Sequence, residues 1–377
     1  MRIIFVSNIL TPHQIPLCDC LSLLQGVELS FFESIQIDKR TLPIGWKTSE
    51  KRNYVVPYNV LSSNIDKATT DILHADVVIF GSGDFNLIKE RLSVNRLTFI
   101  YSERIYKNWC EFIKYPYHLI KFKRRYSKCN SVYLLCASAF AAKDYHSLGL
   151  FRNRAFKWGY FPKVDNFEVE ARNQGASTSK STPHIMWCAR FLRLKHPELP
   201  VKLAARLKKR GYKFVIDMFG SGEELENTKL LAKKLKVEDV VNFCGNRPND
   251  EILDEMRRHE IFLFTSDRNE GWGAVLNEAM SCGCAVVGSD KIGAVQFLIE
   301  DGVNGFMFRS GDIISLYEKV AYLLDNLDLC RKIALKGVET MVTYWSPENA
   351  AKALCSIIKD ISNFRSISIS QGPGSVV

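Results

Sequence analysis

The sequence predicts an α/β chain made of two parallel-sheet domains of similar size, and three observations carry that reading. Its 377 residues exceed what one hydrophobic core usually organises. Short β-branched or aromatic runs alternate with longer stretches of helical periodicity, as in a parallel sheet covered on both faces. The alternation then stops at DNFEVEARNQGASTSKST, Asp165 to Thr182, whose polar, Ser/Thr-rich composition is that of a linker.

In chain order, RIIFVS, VELSFF, DVVIFG, LTFIYS and VYLLCAS read as buried strands, with helices over 15–24 and 86–92. MRIIFVSNIL has one Arg and no small-residue cleavage site after it, so it reads as a first strand rather than a signal peptide. After the linker come HIMWCA, a helix over 200–209, KFVIDMFG, a helix over 223–235 and VVNFCG. A helix over 250–257, IFLFTS, a helix over 274–281 and CAVVGS follow. Pro347 opens a last helix, and the tail FRSISISQGPGSVV is predicted to be disordered. The expected division is 1–163, a linker over 164–183, a second domain over 184–345, a helix over 346–362 and a tail over 363–377.

Apolar residues make up 46% and charged residues 24%, an ordinary globular composition. No apolar run reaches the ~18 residues of a membrane span. The eleven cysteines are irregularly spaced, without a C-x-x-C, and read as reduced core thiols of a cytoplasmic protein rather than metal ligands. The net charge of +10 points to an anionic partner. Cations concentrate over 104–128, at Arg104, Lys107, Lys114, Lys121, Lys123, Arg124, Arg125 and Lys128, with aromatic residues between them. This stretch is either a solvated face or a patch for an anionic membrane surface. Nucleic acid is not an expected partner, because no nucleic-acid fold signature accompanies the charge.

Two glycine pairs, Gly81-Ser-Gly83 and Gly220-Ser-Gly222, lack the third glycine of a dinucleotide fingerprint, since Asn86 and Leu225 stand there. No nicotinamide cofactor is expected. The informative stretch is EGWGAVLNEAM. Glu270 precedes a Gly-Trp-Gly turn, and Glu278 lies on an otherwise apolar helix, where a carboxylate needs a partner. Gly271 and Gly273 let backbone amides approach a ligand, and the helix start suits a phosphate. Two carboxylates beside an anion site match a nucleoside diphosphate sugar, with hydroxyls on either side of its pyrophosphate. Arg190 and Lys195, just past the HIMWCA strand, are the candidate counter-charges.

Over His184 to Trp345 these residues resemble the retaining GT-B glycosyltransferases of family four. Glu270 to Glu278 matches that family's E-x7-E, EGWGAVLNEAMSCGCAVVGSD its E-G-[FW]-G…EAM run, DGVNGFMF its D-G-x-x-G segment, and Arg190 with Lys195 its R-x4-K pair. The resemblance implies a GT-B fold, two Rossmann-like domains facing a central cleft, with the last helix crossing back to the first domain. It implies that Arg190 and Lys195 hold the diphosphate, Glu278 the ribose and Glu270 the donor sugar. Gly271, Trp272, Gly273, Ala274 and Val275 would supply amides. No metal and no cofactor are expected, only a UDP- or GDP-sugar donor and a glycan or lipid-linked acceptor, in surface polysaccharide synthesis at the cytoplasmic face of a membrane. The first domain departs from the pattern: SNILTPHQIPL has no Gly-Gly loop, and Ser102-Glu103 stands where many members have His-Asp or His-Glu. Glu103 and His13 are the candidates there. Rival readings are a nucleotide-sugar epimerase and a non-enzymatic binder of anionic surfaces on a degenerate transferase fold.

Overall fold

Strands β1 (Arg2–Ser7), β2 (Glu28–Glu33), β3 (Val55–Val56), β4 (Val77–Phe80), β5 (Thr98–Ser102), β6 (Val132–Cys136) and β7 (Ala155–Lys157) form one sheet in the order β3-β2-β1-β4-β5-β6-β7. Every pair in it is parallel. The second sheet contains β8 (His184–Cys188), β9 (Val215–Phe219), β10 (Val241–Gly245), β11 (Ile261–Phe264), β12 (Ala285–Ser289) and β13 (Phe306–Phe308), ordered β10-β9-β8-β11-β12-β13. It too is parallel throughout. This computed structural model describes residues 1–36, 52–164 and 182–377, so the predicted linker falls almost wholly outside the described residues.

Both sheets are doubly wound and Rossmann-like. The strand order reverses between β1 and β4 in the first and between β8 and β11 in the second. In such sheets ligands bind at the carboxyl ends of the strands flanking the reversal. The strands are apolar runs because helices cover both faces: Ile3 to Val6 and Ile261 to Phe264 are all buried.

The chain divides into two units, Met1–Lys163 with Tyr344–Val377, and Val164–Thr343. The last helix, Pro347–Ser362, therefore belongs to the first unit. It opens with a Ser346 side-chain cap and a proline. It packs on the helix Ile15–Leu23.

The tail is a correction to the sequence reading. It is ordered along the free edge of β7: Gly374 N donates to Lys157 O (2.8 Å), Lys157 N to Ser375 O (2.8 Å), and Val377 N to Ala155 O (3.0 Å). Phe156 and Val376 pair antiparallel. An edge strand offers unpaired amides and carbonyls, and Ser-Val-Val, after two glycines at positive φ, can take them. Composition alone reported polarity and missed the template.

A buried arginine ties the first unit together. Arg91, 1% exposed, donates to the carbonyls of Ile72, Leu73, Ala75, Asp76 and Leu97 and to Thr98 Oγ1. It thereby satisfies the end of the helix Ile65–His74, whose last carbonyls have no intrahelical donors.

Candidate functional site

At the reversal of the second sheet, the loops after β8 and β11 bring two of the predicted residues together. Lys195 Nζ and Glu270 Oε2 form a short ion pair, with side chains only 14% and 11% exposed. Arg190, in the same loop as Lys195, is exposed. Glu278 is the fourth residue of the helix Val275–Ser281 and is buried.

Several residues outside the predicted set fix this geometry. Thr265 Oγ1 donates to Lys195 O (2.6 Å) and accepts from Trp187 Nε1 (2.8 Å). Asp267 N donates to Leu194 O (2.9 Å). His196, at φ 50°, faces Glu198 Oε1 with Nδ1 (3.0 Å) and Asp267 Oδ2 with Nε2 (3.5 Å). The Asp267 and Glu198 carboxylates push the His196 pKa up to about 9, so it is an imidazolium at neutral pH. Asp267, on the loop after β11, is paired with His196, and through it the β8 and β11 loops are clamped together.

The glycine pair Gly220-Ser-Gly222 has a structural use. Both glycines have positive φ, and a Cβ at either would run into the Ala189 or Phe191 carbonyl oxygen. Phe191 N donates to Ser221 O at 2.8 Å, so the loop that carries Arg190 lies directly on this turn. Gly273, at φ +85°, is likewise required, because a Cβ there would strike the Phe264 ring.

Of the predicted amide stretch, Gly271, Gly273 and Val275 are partly exposed, and Ala274 is 8% exposed. The Trp272 side chain is fully buried and donates to Asn277 Oδ1 (2.8 Å). Its indole packs the turn from beneath, so only its backbone can serve a ligand.

Glu278 is the electrostatic anomaly of the site. Burial raises its pKa to about 7, and the nearby Asn249 side chain offsets only part of that. Asn249, first residue of the helix Asn249–Arg258, is a site residue that sequence reasoning missed; the available signal was a Pro-Asn pair opening a helix after a strand. Burial first, then the nearby Glu278 charge, push the Cys188 thiol up to about 12, so it is a neutral wall of the site.

The first unit assembles its own two candidates. Tyr160 OH donates to Glu103 Oε1 (2.9 Å), Lys107 Nζ to Glu103 Oε2 (2.7 Å), and the His13 ring stacks on Tyr160 at 6.1 Å. Burial lowers the His13 pKa, which favours a neutral imidazole. Tyr160, absent from the sequence-derived set, joins the two. The loop after β1 keeps its shape without glycine: Asn8 N donates to Ser82 Oγ (2.9 Å) and Leu10 N to Glu33 Oε1 (3.1 Å).

Residues 170–339 match the Glycosyl transferases group 1 family model. Among curated proteins, the chain is 26% identical over 144 residues to N-acetyl-alpha-D-glucosaminyl L-malate synthase of Bacillus anthracis, covering 38% of this chain and 37% of that protein. It is 27% identical over 181 residues to the lipopolysaccharide core biosynthesis glycosyltransferase LpsE of Rhizobium meliloti, covering 48% of this chain and 51% of LpsE. The chain thus spans about half the length, or less, of these curated relatives. The crystal structure of Anabaena HepE in complex with UDP aligns with a TM-score of 0.67 at 15% identity, covering 96% of this chain and all of that one. At that identity the likeness establishes the fold: two Rossmann-like units, as in GT-B glycosyltransferases.

Proposed function

We propose that this protein is a retaining, metal-independent glycosyltransferase. It would move a sugar from a UDP- or GDP-sugar to a hydroxyl of a lipid-linked glycan during surface polysaccharide synthesis. The observation that carries the reading is the Lys195–Glu270 pair beside the high-pKa Glu278, at the reversal point of the second sheet. The match of residues 170–339 to a glycosyltransferase family, the naming of LpsE as a lipopolysaccharide core enzyme and the UDP in the HepE complex support it.

In this mechanism the diphosphate draws Lys195 away from Glu270 and recruits exposed Arg190, while the freed Glu270 accepts bonds from sugar hydroxyls. Glu278 accepts bonds from the ribose diol, which replace the water it lost on burial. The bond between the anomeric carbon and the phosphate oxygen breaks, and both electrons leave with the nucleoside diphosphate. Arg190, Lys195 and the amides from Gly271 to Val275 stabilise that charge as it grows. The acceptor oxygen bonds to the anomeric carbon on the face the phosphate leaves, and its proton passes to the departing phosphate oxygen. Glu103 and His13 of the first unit serve the donor sugar or the acceptor, and Tyr160 holds them in place.

Membrane docking is the second element of the proposal. The helices Trp109–Ile113 and Tyr115–Tyr126 expose Ile113 (81%), Tyr117 (58%) and Ile120 (70%) beside exposed Lys123, Arg124 and Lys128. Apolar side chains among cations suit an anionic headgroup zone, where each cation contributes about 1 kcal/mol. Arg125 is not part of this face, since its guanidinium lies 4.1 Å from the Phe85 ring centroid. Among the described residues no helix is long and apolar enough to cross a membrane.

Calorimetric titration with UDP and GDP tests the donor assignment. Glu278→Ala should weaken binding of the preferred diphosphate by about 1–3 kcal/mol; unchanged affinity would remove Glu278 from the ribose. Donor incubated without acceptor should stay intact, whereas its conversion to an epimer would make the protein an epimerase. Lys123→Glu, Arg124→Glu and Lys128→Glu together should abolish flotation with anionic vesicles and spare diphosphate binding. A wild type that does not float at low salt would reduce the patch to a solvated face.

A further inference from the structure

Toward the amino ends of the second sheet's strands, away from the donor loops, three side chains converge that the proposed transfer does not use. His184 opens β8, Asp217 lies on β9, and His259 directly precedes the Glu260 that leads into β11. These three strands are neighbours, in the order β9-β8-β11. His184 Nδ1 and His259 Nε2 approach the same oxygen, Asp217 Oδ2, at 2.8 and 3.0 Å. Asn242 Nδ2 donates to the other oxygen at 2.8 Å and sets the carboxylate's orientation.

The far side of His259 decides what this cluster can do. Its Nδ1 lies 2.6 Å from the Glu255 carbonyl oxygen and must carry a proton. In a neutral ring Nε2 is then a lone pair aimed at a carboxylate oxygen. That contact needs a positive species between the two atoms, either a second proton or a metal ion. A histidine whose spare N–H is fixed by a backbone carbonyl is the form in which imidazole binds metals, because the tautomer and ring orientation are set in advance.

The geometry fits such an ion. One ligand atom from each of the three residues lies within 4.8 Å of the others. Zinc bonds of about 2.0–2.2 Å in a tetrahedron separate ligand atoms by roughly 3.3 Å. The present contacts would open by only a few tenths of an ångström. A fourth position is available to water, since the His184 side chain is 45% exposed. The Cys244 sulfur lies 4.0 Å from Asp217 Oδ1 on the adjoining strand.

We propose that His184, Asp217 and His259 form a binding site for a divalent transition metal of zinc type, which ties β8 and β9 to the turn entering β11. Two imidazoles and one carboxylate are a borderline donor set that favours zinc or cobalt over magnesium or calcium. The ion stands apart from the diphosphate chemistry, and its role is to hold the sheet.

Untagged full-length protein, stripped with EDTA and dialysed, is titrated with Co²⁺. The expected result is one saturable equivalent with the visible ligand-field band of a four-coordinate site, bleached by Zn²⁺. His184→Ala, at a half-exposed position, should keep its circular dichroism spectrum. It should weaken Co²⁺ binding by roughly 10–100-fold or more, at least the cost of losing a partner that merely orients a ligand. Zn²⁺ should raise the unfolding midpoint of the wild type and leave that of the variant in place. A featureless Co²⁺ titration of the wild type overturns the site, as does equal affinity in both proteins; protons alone would then hold the cluster.

Discussion

Two buried carboxylates in the second unit, Glu278 and Asp217, sit under opposite electrostatic regimes. Burial raises both. Glu278 has Asn249 against that and is left near 7. Asp217 has His259, Asn242 and His184, which hold it well below the usual carboxylate range. Glu278 is the more deeply desolvated and has the fewer donors, and the two causes together set the sign. Asp217 has three side chains of the fold facing its two oxygens. Glu278 is under-served, and the proposed ribose diol supplies what it lacks.

Four experiments test that contrast. The largest effect is expected where the site meets growing charge. Lys195→Ala should lower kcat by about 10²–10³ with a smaller change in donor affinity, read by steady-state kinetics beside calorimetry. A loss confined to affinity would make Lys195 an anchor. Next, Asp217→Asn, assayed in EDTA to exclude any metal contribution, should lose about 1–3 kcal/mol at pH 7 by urea unfolding, because the groups of His184, Asn242 and His259 that face it lose a charged acceptor. The native Asp217 pKa is depressed, so its stabilisation is present above the unfolded value of about 3.9 and is lost as pH falls below that.

Glu278→Gln should act with the opposite sign. The native pKa of about 7 exceeds the unfolded value of about 4.3. Ionising Glu278 therefore costs stability progressively between those two values, and in full above them. The variant should be more stable than wild type by roughly 1–3 kcal/mol at pH 8, with no gain near pH 4. It should bind the nucleoside diphosphate more weakly at both. A variant less stable at pH 8 would mean that Glu278 is already well paired in the free protein.

The smallest effect concerns metal. EDTA should leave turnover at 25 °C unchanged, since the proposed leaving-group charges are Arg190 and Lys195. A loss of turnover that EDTA also causes in His184→Ala would place a metal at the diphosphate instead.

Much of this was legible in the residues. Strand and helix periodicity survives in a chain whose sheets are buried on both faces, so the central strands fall within a residue or two of their predicted bounds. The short strands β3, β7 and β13 carry too few residues to show a pattern. Glu270 and Glu278 could be singled out as candidates because an acid in an apolar stretch is anomalous by type, and Arg190 and Lys195 because they match the R-x4-K pair of the family the sequence resembles. Thr265, His196 and Tyr160 could not, since each is ordinary by type and gains meaning from a neighbour distant in sequence.

From the residues alone came the α/β class, the break near residue 164 and a set of candidate residues for an anion site, because those rest on local periodicity and on a carboxylate that is costly to bury. Tertiary structure alone decided which of them meet. It pairs Lys195 with Glu270 across 75 positions, draws His184, Asp217 and His259 onto one point, and lays residues 374–377 along β7. Those contacts join residues that only the sheet order makes neighbours, and strand order is a long-range outcome that no local pattern encodes.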